Sequence, residues 1–457
     1  MRTIRILTIL VLGAVLIDAT SAGNQGKYLK EVLPNGLTII VKHNPDSRVF
    51  AVDILGKNRA AWEKEDKIGI TDFVNRMLVK GTEHKNARQI QEALDDIGAK
   101  LQTNDNPYIP YDDRYTWRAY TFIRFETIDE YANDGLKILY EIVSEPSFPE
   151  DEIDKMKSQV MGILGMSSGS TYQVCGNLYY SKLFEDNPLA HPVMGDARTV
   201  SSYTRGDLEY QHKIFYNPPN LILTVVSNIE PKQVMKMIKK RFKNMQPYPI
   251  KLKEFEIPVA GKKMGVIEAY KPMEKEQVYI DMGTIIPGLK SEEAAPLTIT
   301  LEILNSRLKL NLREKQGLAY SVGAGERFLG DFGWYTCAMG TGYENFEKAK
   351  SGILAEIEKL KNEPVDQAEL DKARNSLWGS MLMRNMSCIN QAYNMAYYEY
   401  IGVGYDYDDG YRDRMDKVTA QDVQSAAQNY LDIDNYVFAF VGKSMAQPDT
   451  TSEGMPK

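Results

Sequence analysis

Two short stretches of this sequence place side chains where chemistry could be done. In GITDFVNRMLVKGT, residues 69–82, Asp72 and Arg76 stand four apart with Asn75 between them. The stretch reads as a helix entered from a loop and left through Gly81, with Phe73, Met77 and Leu78 inward and the three polar residues on the other face. At that spacing Asp72 and Arg76 make a helix-surface ion pair. They make a poor metal site, because a guanidinium offers no lone pair and its charge repels a cation. In SRLKLNLREKQGLAYSV, residues 306–322, Arg313 and Tyr320 flank the turn KQG. Taken alone, these two read as an Arg313–Glu314 surface pair and a half-buried strand aromatic. The four histidines, His43, His84, His191 and His212, include no pair at ligand spacing and read as surface or loop residues. Cys175, Cys337 and Cys388 are too far apart for a disulfide framework or a metal set and read as buried free thiols.

The elements that position these residues belong to a large globular chain. Its 457 residues suggest two or three domains, and 43% hydrophobic with 26% charged residues supports sizeable cores. A net charge of −7 gives no electrostatic footprint for nucleic acid. The lysine cluster of residues 231–242 reads as a solvated helix face. At the N-terminus, MRTIR precedes an apolar run of twelve residues, 6–17, and the small residues Thr20, Ser21 and Ala22. This pattern fits a secretory signal peptide over residues 1–22, since the run is too short to span a bilayer. The expectation is an exported, periplasmic protein with no membrane contact after cleavage, an uncleaved anchor being the alternative. No cysteine follows the run, which argues against a lipoprotein.

An internal repeat organises the remainder. Glu152, Ile153, Asp154, Lys155 and Gly162 return as Glu369, Leu370, Asp371, Lys372 and Gly379, all 217 residues later, and Thr204, Asp207 and Asn220 return as Thr419, Asp422 and Asn435 at an offset of 215. Such an offset indicates duplication of a domain rather than a solenoid. The join lies at residues 245–263, where prolines and alternating charges mark a linker. The expected domains are 23–247 and 248–443, followed by a flexible tail, 444–457. In the first copy EVLPNGLTIIVKH reads as a hairpin turning at Asn35-Gly36, a helix is expected over 86–97, and YTWRAYTFI, 115–123, reads as a strand. RVFAVDILG and EQVYIDMGT are matching strands, and NLILTVVS and NYVFAFVG are matching closing strands. The pattern predicts an α+β fold: two homologous sandwich domains, each a largely antiparallel sheet with helices packed on one face.

Four of these stretches, GITDFVNRMLVKGT, LPNGLTIIV, FYNPPNLILTVVS and LNLREKQGLAYSV, together resemble the pitrilysin/insulinase-type inverzincin metallopeptidases, over nearly the whole chain. That family carries H-x-x-E-H on a helix, two histidines for zinc and a glutamate as general base, with a later carboxylate as third protein ligand. The resemblance puts Asp72, Asn75 and Arg76 at the histidine, glutamate and histidine positions, and Met156 and Ile163 where the family has acidic residues seven apart. The zinc site is therefore expected to be lost. The resemblance also implies that Arg313 and Tyr320 reach a peptide bound at the zinc of another domain, the arginine holding a carbonyl or carboxylate and the tyrosine donating to the oxyanion. Together these implications describe a non-catalytic subunit of an exported heterodimeric zinc peptidase. Such a subunit forms half of a peptide-degrading chamber, has no cofactor of its own and no activity alone, and pairs with a homologous zinc-bearing subunit to act on peptides or unfolded polypeptides. The alternative is a scaffold or peptide-binding protein of the same fold with no peptidase partner.

Overall fold

The computed structural model describes residues 27–105 and 115–443; the expected signal peptide and tail lie outside them. The first copy opens with strands β1 (Tyr28–Val32), β2 (Thr38–His43) and β3 (Val49–Gly56), then helices α1 (Ile70–Met77) and α2 (Ala87–Asp95). Strands β4 (Lys100–Gln102) and β5 (Thr121–Ile128) follow, then α3 (Ala132–Ser144), α4 (Glu150–Ser168), α5 (Thr171–Leu183), α6 (Ala197–Ser202) and α7 (Arg205–Phe215). It closes with β6 (Leu221–Ser227) and α8 (Pro231–Phe242). The second copy runs β7 (Ile267–Pro272), β8 (Gln277–Gly283), β9 (Ile285–Pro287), α9 (Ala294–Leu308), β10 (Ala319–Phe328) and β11 (Phe332–Gly342). It ends with α10 (Phe346–Asn362), α11 (Gln367–Arg384), α12 (Cys388–Ile401), α13 (Tyr411–Asp416), α14 (Ala420–Tyr430) and β12 (Val437–Gly442).

The strand orders are β1-β2-β6-β3-β5-β4 and β10-β11-β8-β12-β7, with β9 paired to β11. In each copy the closing strand runs parallel to an early strand, β6 to β2 and β12 to β7, and every other pairing is antiparallel. The repeated residues turn out to be structural. Thr204 with Asp207 and Thr419 with Asp422 form capping boxes that start α7 and α14. Asn220 donates to the Phe215 carbonyl, and Asn435 accepts from the Met264 and Gly265 amides.

Each copy's own helices cover one face of its sheet, and the other face is covered by a helix lent from the other copy. β6 is buried along its whole length and β3 along all but its first residue, so both faces need an apolar cover. Phe50, Val52 and Ile54 face the first copy's core. Ala51 and Leu55 alternate to the opposite side and meet Ile389, Ala392, Met395 and Ala396 of α12 in a shared core. Reciprocally, Cys175 and Tyr179 of α5 pack against Ala269, Val437 and Ala439 of the second sheet. Thr224 donates to the Ala392 carbonyl at 2.7 Å and Tyr179 to the Tyr335 carbonyl at 2.8 Å, so polar groups also tie each lent helix to its host.

Several local readings are corrected. The hairpin loop spans five residues, 33–37, of which Gly36 is left-handed, with Asn35 donating to the Phe242 and Met245 carbonyls. Strand β5 starts only at Thr121, residues 115–120 being irregular. His212 lies within α7, neither on the surface nor in a loop. Its ring stacks on Tyr216 and bonds the Val143 carbonyl at 2.8 Å, and burial pushes it down to about 4. All three cysteines are buried and free. Among the described residues no helix is long and apolar enough to cross a membrane.

Candidate functional site

Helix α1 is entered through Gly69, which is left-handed (φ 88°) and lies against Gly195: a Cβ on Gly69 would meet the Gly195 nitrogen at 2.3 Å. Its first amides are satisfied by a side chain from outside the helix. Glu63 accepts from the Gly69 amide at 2.8 Å and the Thr71 amide at 3.2 Å, while Arg59 donates to the same carboxylate at 2.8 Å. With no polar side chain at the cap itself, this buried carboxylate takes over the capping role and favours the positive helix end.

All eight residues of α1 are buried, so the polar face does not meet bulk solvent as the sequence suggests. The Asp72–Arg76 pair forms, with Arg76 Nε donating to Asp72 Oδ2 at 2.7 Å, but it is an internal pair, 2% and 5% exposed. Burial works to lower the Arg76 pKa, yet the charge and hydrogen bond of Asp72 outweigh it and hold the guanidinium above its ordinary value. Asn75 is fully buried, donating to Thr121 Oγ1 and accepting from the Tyr216 hydroxyl, both at 2.5 Å. Thr71 accepts from Gln211 at 2.9 Å. Met156 of α4 lies in the first core and Ile163 is also buried, at the wall of an adjacent chamber.

This donor set does not fit zinc. The one carboxylate is bound to an arginine, the amide is spent on two hydroxyls, and neither Met156 nor Ile163 supplies an oxygen or nitrogen. Among the described residues no group of three or more His, Cys, Asp or Glu could hold a metal ion.

The structure does not bring Arg313 and Tyr320 to that helix. Arg313 sits in a π-helical turn, Lys309–Glu314, that continues α9. The chain then reverses through Gly317, whose amide bonds the Arg313 carbonyl at 3.1 Å, and Leu318, whose amide bonds the Leu312 carbonyl at 2.9 Å. Tyr320 is the extra residue of a β-bulge in the edge strand β10: Ala319 pairs with Thr341 and Ser321 with Gly340, leaving Tyr320 unmatched. Its side chain is 90% exposed, not half-buried. Arg313 is half-exposed, and its nearest carboxylate, on Glu314, is 3.6 Å away. Irregular backbone thus displays both side chains outward, and neither lines the chamber.

That chamber, about 1330 Å³, lies between the two copies, with Arg76 and Ile163 on one wall and strand β10 on another. Its lining is aromatic and basic. Trp117, Tyr120, Tyr393 and Tyr397 contribute rings, and Arg327 lies 4.2 Å from the Trp117 ring centre. Arg118 is held by the Ala190 and His191 carbonyls and by Asn177. Two acids in the lining are shifted toward their neutral forms: burial pushes Asp281 up to about 7 and Glu326 up to about 7. The sequence reading missed Arg327, Arg384 and the tyrosines of α12. The signal for the tyrosines was the tyrosine-rich run QAYNMAYYEY, residues 391–400, with Arg384 seven residues before it; Arg327 carried none.

Comparison with known proteins gives a consistent picture. A family model for insulinase-type M16 peptidases matches residues 38–197, and one described as the peptidase M16 inactive domain matches residues 202–377. An uncharacterized zinc protease of Rickettsia felis is 26% identical over 356 residues, 77% of this chain and 82% of its own length. A probable mitochondrial-processing peptidase subunit beta of Arabidopsis thaliana is 22% identical over 369 residues, 77% and 66% of the two chains. Among solved structures, a peptidase M16 inactive domain from Pseudomonas fluorescens gives a TM-score of 0.82 at 19% identity, covering 92% of this chain and 99% of that one. A protease from Helicobacter pylori gives 0.81 at 20% identity, covering 91% and 99%.

Proposed function

The chain belongs to the insulinase-type M16 peptidase family, and from that premise we propose that it is the non-catalytic subunit of a heterodimeric zinc peptidase. Zinc and the general base belong to a homologous partner chain, and this chain supplies Arg313, Tyr320 and half of the peptide chamber. The observation that carries the reading is the contrast between two sets of positions. Asp72, Asn75 and Arg76 are consumed by partners within this chain, whereas Arg313 and Tyr320 are displayed at a π-turn and a β-bulge, Arg313 with only a long 3.6 Å contact to Glu314 among the described residues. Backbone irregularity of this kind re-aims side chains beside functional sites.

In this role the Tyr320 hydroxyl donates to the oxyanion that develops at the scissile carbonyl, and Arg313 binds a substrate carbonyl or carboxylate through its two-pronged donor set. Neither residue needs a proton from this chain's interior, and a 90% exposed phenol reaches a second chain without rearrangement of β10. The leader over residues 1–22 would place this subunit outside the cytoplasm, in the periplasm.

The test is reconstitution. This chain and a homologous chain bearing H-x-x-E-H from the same source should each fail to cleave peptides alone and should cleave them together, with zinc recovered only in the second. Changing Arg313 and Tyr320 together in the assembled complex should remove most of that activity. Full activity of such a doubly changed complex would leave this chain as a scaffold beside an enzyme.

A further inference from the structure

The chain is acidic as a whole, yet its chamber is basic: the lining holds six cationic side chains against three acidic ones. Two of those acids, Asp281 and Glu326, are driven toward neutrality by burial, and the cations are in excess. Three of the cations are already engaged or belong to the first copy's internal networks: Arg76 is paired with Asp72 and Arg118 with backbone carbonyls, while Arg124 lies 5.3 Å from the Tyr393 ring centre. The other three, Lys309, Arg327 and Arg384, come from the second copy, and none makes a side-chain hydrogen bond or ion pair among the described residues. Arg327 lies over the Trp117 ring.

All three line the chamber. Arg327 and Arg384 both act electrostatically on the Tyr397 hydroxyl, which itself donates to the Phe328 carbonyl next to Arg327. Asp408, the other acid near Arg384, is occupied by Tyr398 at 2.8 Å and Asn385 at 2.8 Å. Exposed guanidiniums over an aromatic floor, with no carboxylate in hydrogen-bond contact among the described residues, can take one from outside.

We propose that Arg327 and Arg384, with Lys309, form a carboxylate-binding subsite on the second-copy wall of the chamber, and that the peptides held there are acidic. The inference rests on the reading of the chamber as a place for peptide, and not on the partner chain or on Tyr320. Polyanions such as single-stranded nucleic acid are a poorer match: three cations are fewer than a tracked phosphate backbone engages.

Binding is measured on the full chain without any partner, by fluorescence anisotropy of short labelled peptides of Ala and Ser. One carries several Glu and an amidated C-terminus, one has Gln in place of Glu with the same amide, and one has Gln with a free C-terminal carboxylate. The Glu peptide should bind roughly ten-fold or more tightly than the amidated Gln peptide, the scale of one or two charge-assisted contacts. Arg327→Ala with Arg384→Ala should abolish that preference, and Arg327→Lys with Arg384→Lys should keep most of it. A Gln peptide with a free C-terminus that matches the Glu peptide, and loses its affinity in the same Ala variant, would identify the chain end as the source of the carboxylate. Equal binding of Glu and amidated Gln peptides, a preference that survives in the Ala variant, or tighter binding of a thymidine oligonucleotide would overturn the proposal. Because no cleavage is read, an inactive or missing partner leaves this result standing, and its failure leaves the Tyr320 reading intact.

Discussion

Helix α1 and the turn from Lys309 to Tyr320 carry polar residues of similar kinds, and the fold treats them in opposite ways. In α1 an aspartate, an asparagine and an arginine are all at least 95% buried, and each is answered by a partner within the chain. In the second region a half-exposed arginine and a 90% exposed tyrosine stand on distorted backbone, the arginine with a long 3.6 Å contact to the exposed Glu314. Most buried polar groups in folded proteins are satisfied, and the first set, being satisfied, is explained by stability alone. The second set contributes little to stability and calls for an explanation outside the chain.

Mutations can break this comparison in order of effect. Asp72→Ala leaves the Arg76 charge buried and alone and should cost about 3–5 kcal/mol in urea unfolding. Replacing both residues by apolar ones of similar volume should restore most of that loss, and a small effect of Asp72→Ala would show that water reaches the pair. Tyr320→Phe should leave the unfolding curve unchanged while lowering kcat of the assembled peptidase by about 100-fold, the scale of one oxyanion donor. A loss of stability without a loss of rate would reverse the assignment of that region. Asn75→Ala strips the partner from the Tyr216 and Thr121 hydroxyls and should destabilise by about 1–3 kcal/mol in the same assay, with no change in zinc content of the complex. Smallest is Arg313→Ala. Its effect on stability should stay within about 0.5 kcal/mol, because the Glu314 contact is exposed and long, while KM of the complex rises.

Much of this was legible in the sequence because it was written locally. The matched Thr–Asp pairs were visible as a repeat, and they are capping boxes, whose chemistry is confined to four residues. That Arg76 and Ile163 offer no lone pair to a metal was likewise a matter of residue type. What could not be read was the fate of the polar face of α1. Periodicity assigns a polar stripe to solvent, whereas here Thr116, Thr121 and Tyr216, at least 41 residues away in sequence, turn that stripe into a buried network. The same limit hid His212, whose partner is the Val143 carbonyl, and the position of Tyr320, which depends on one unmatched residue between two strands.

The exchange of α5 and α12 has a consequence for the chain as a physical object. Taken from α12, the first sheet would re-expose Ala51, Leu55, Phe122 and Val226, with each large side chain costing on the order of 2 kcal/mol; without α5 the second sheet fares no better. Neither half is therefore a portable module, despite its descent from a single copy. Melting should occur as one cooperative event, and hydrogen exchange in β3 and β8 should report the same global opening. Cutting the connection within residues 246–266, which carry no regular secondary structure, should not separate the halves either. The fragments should stay locked as a split protein, and re-form one another when mixed from denaturant.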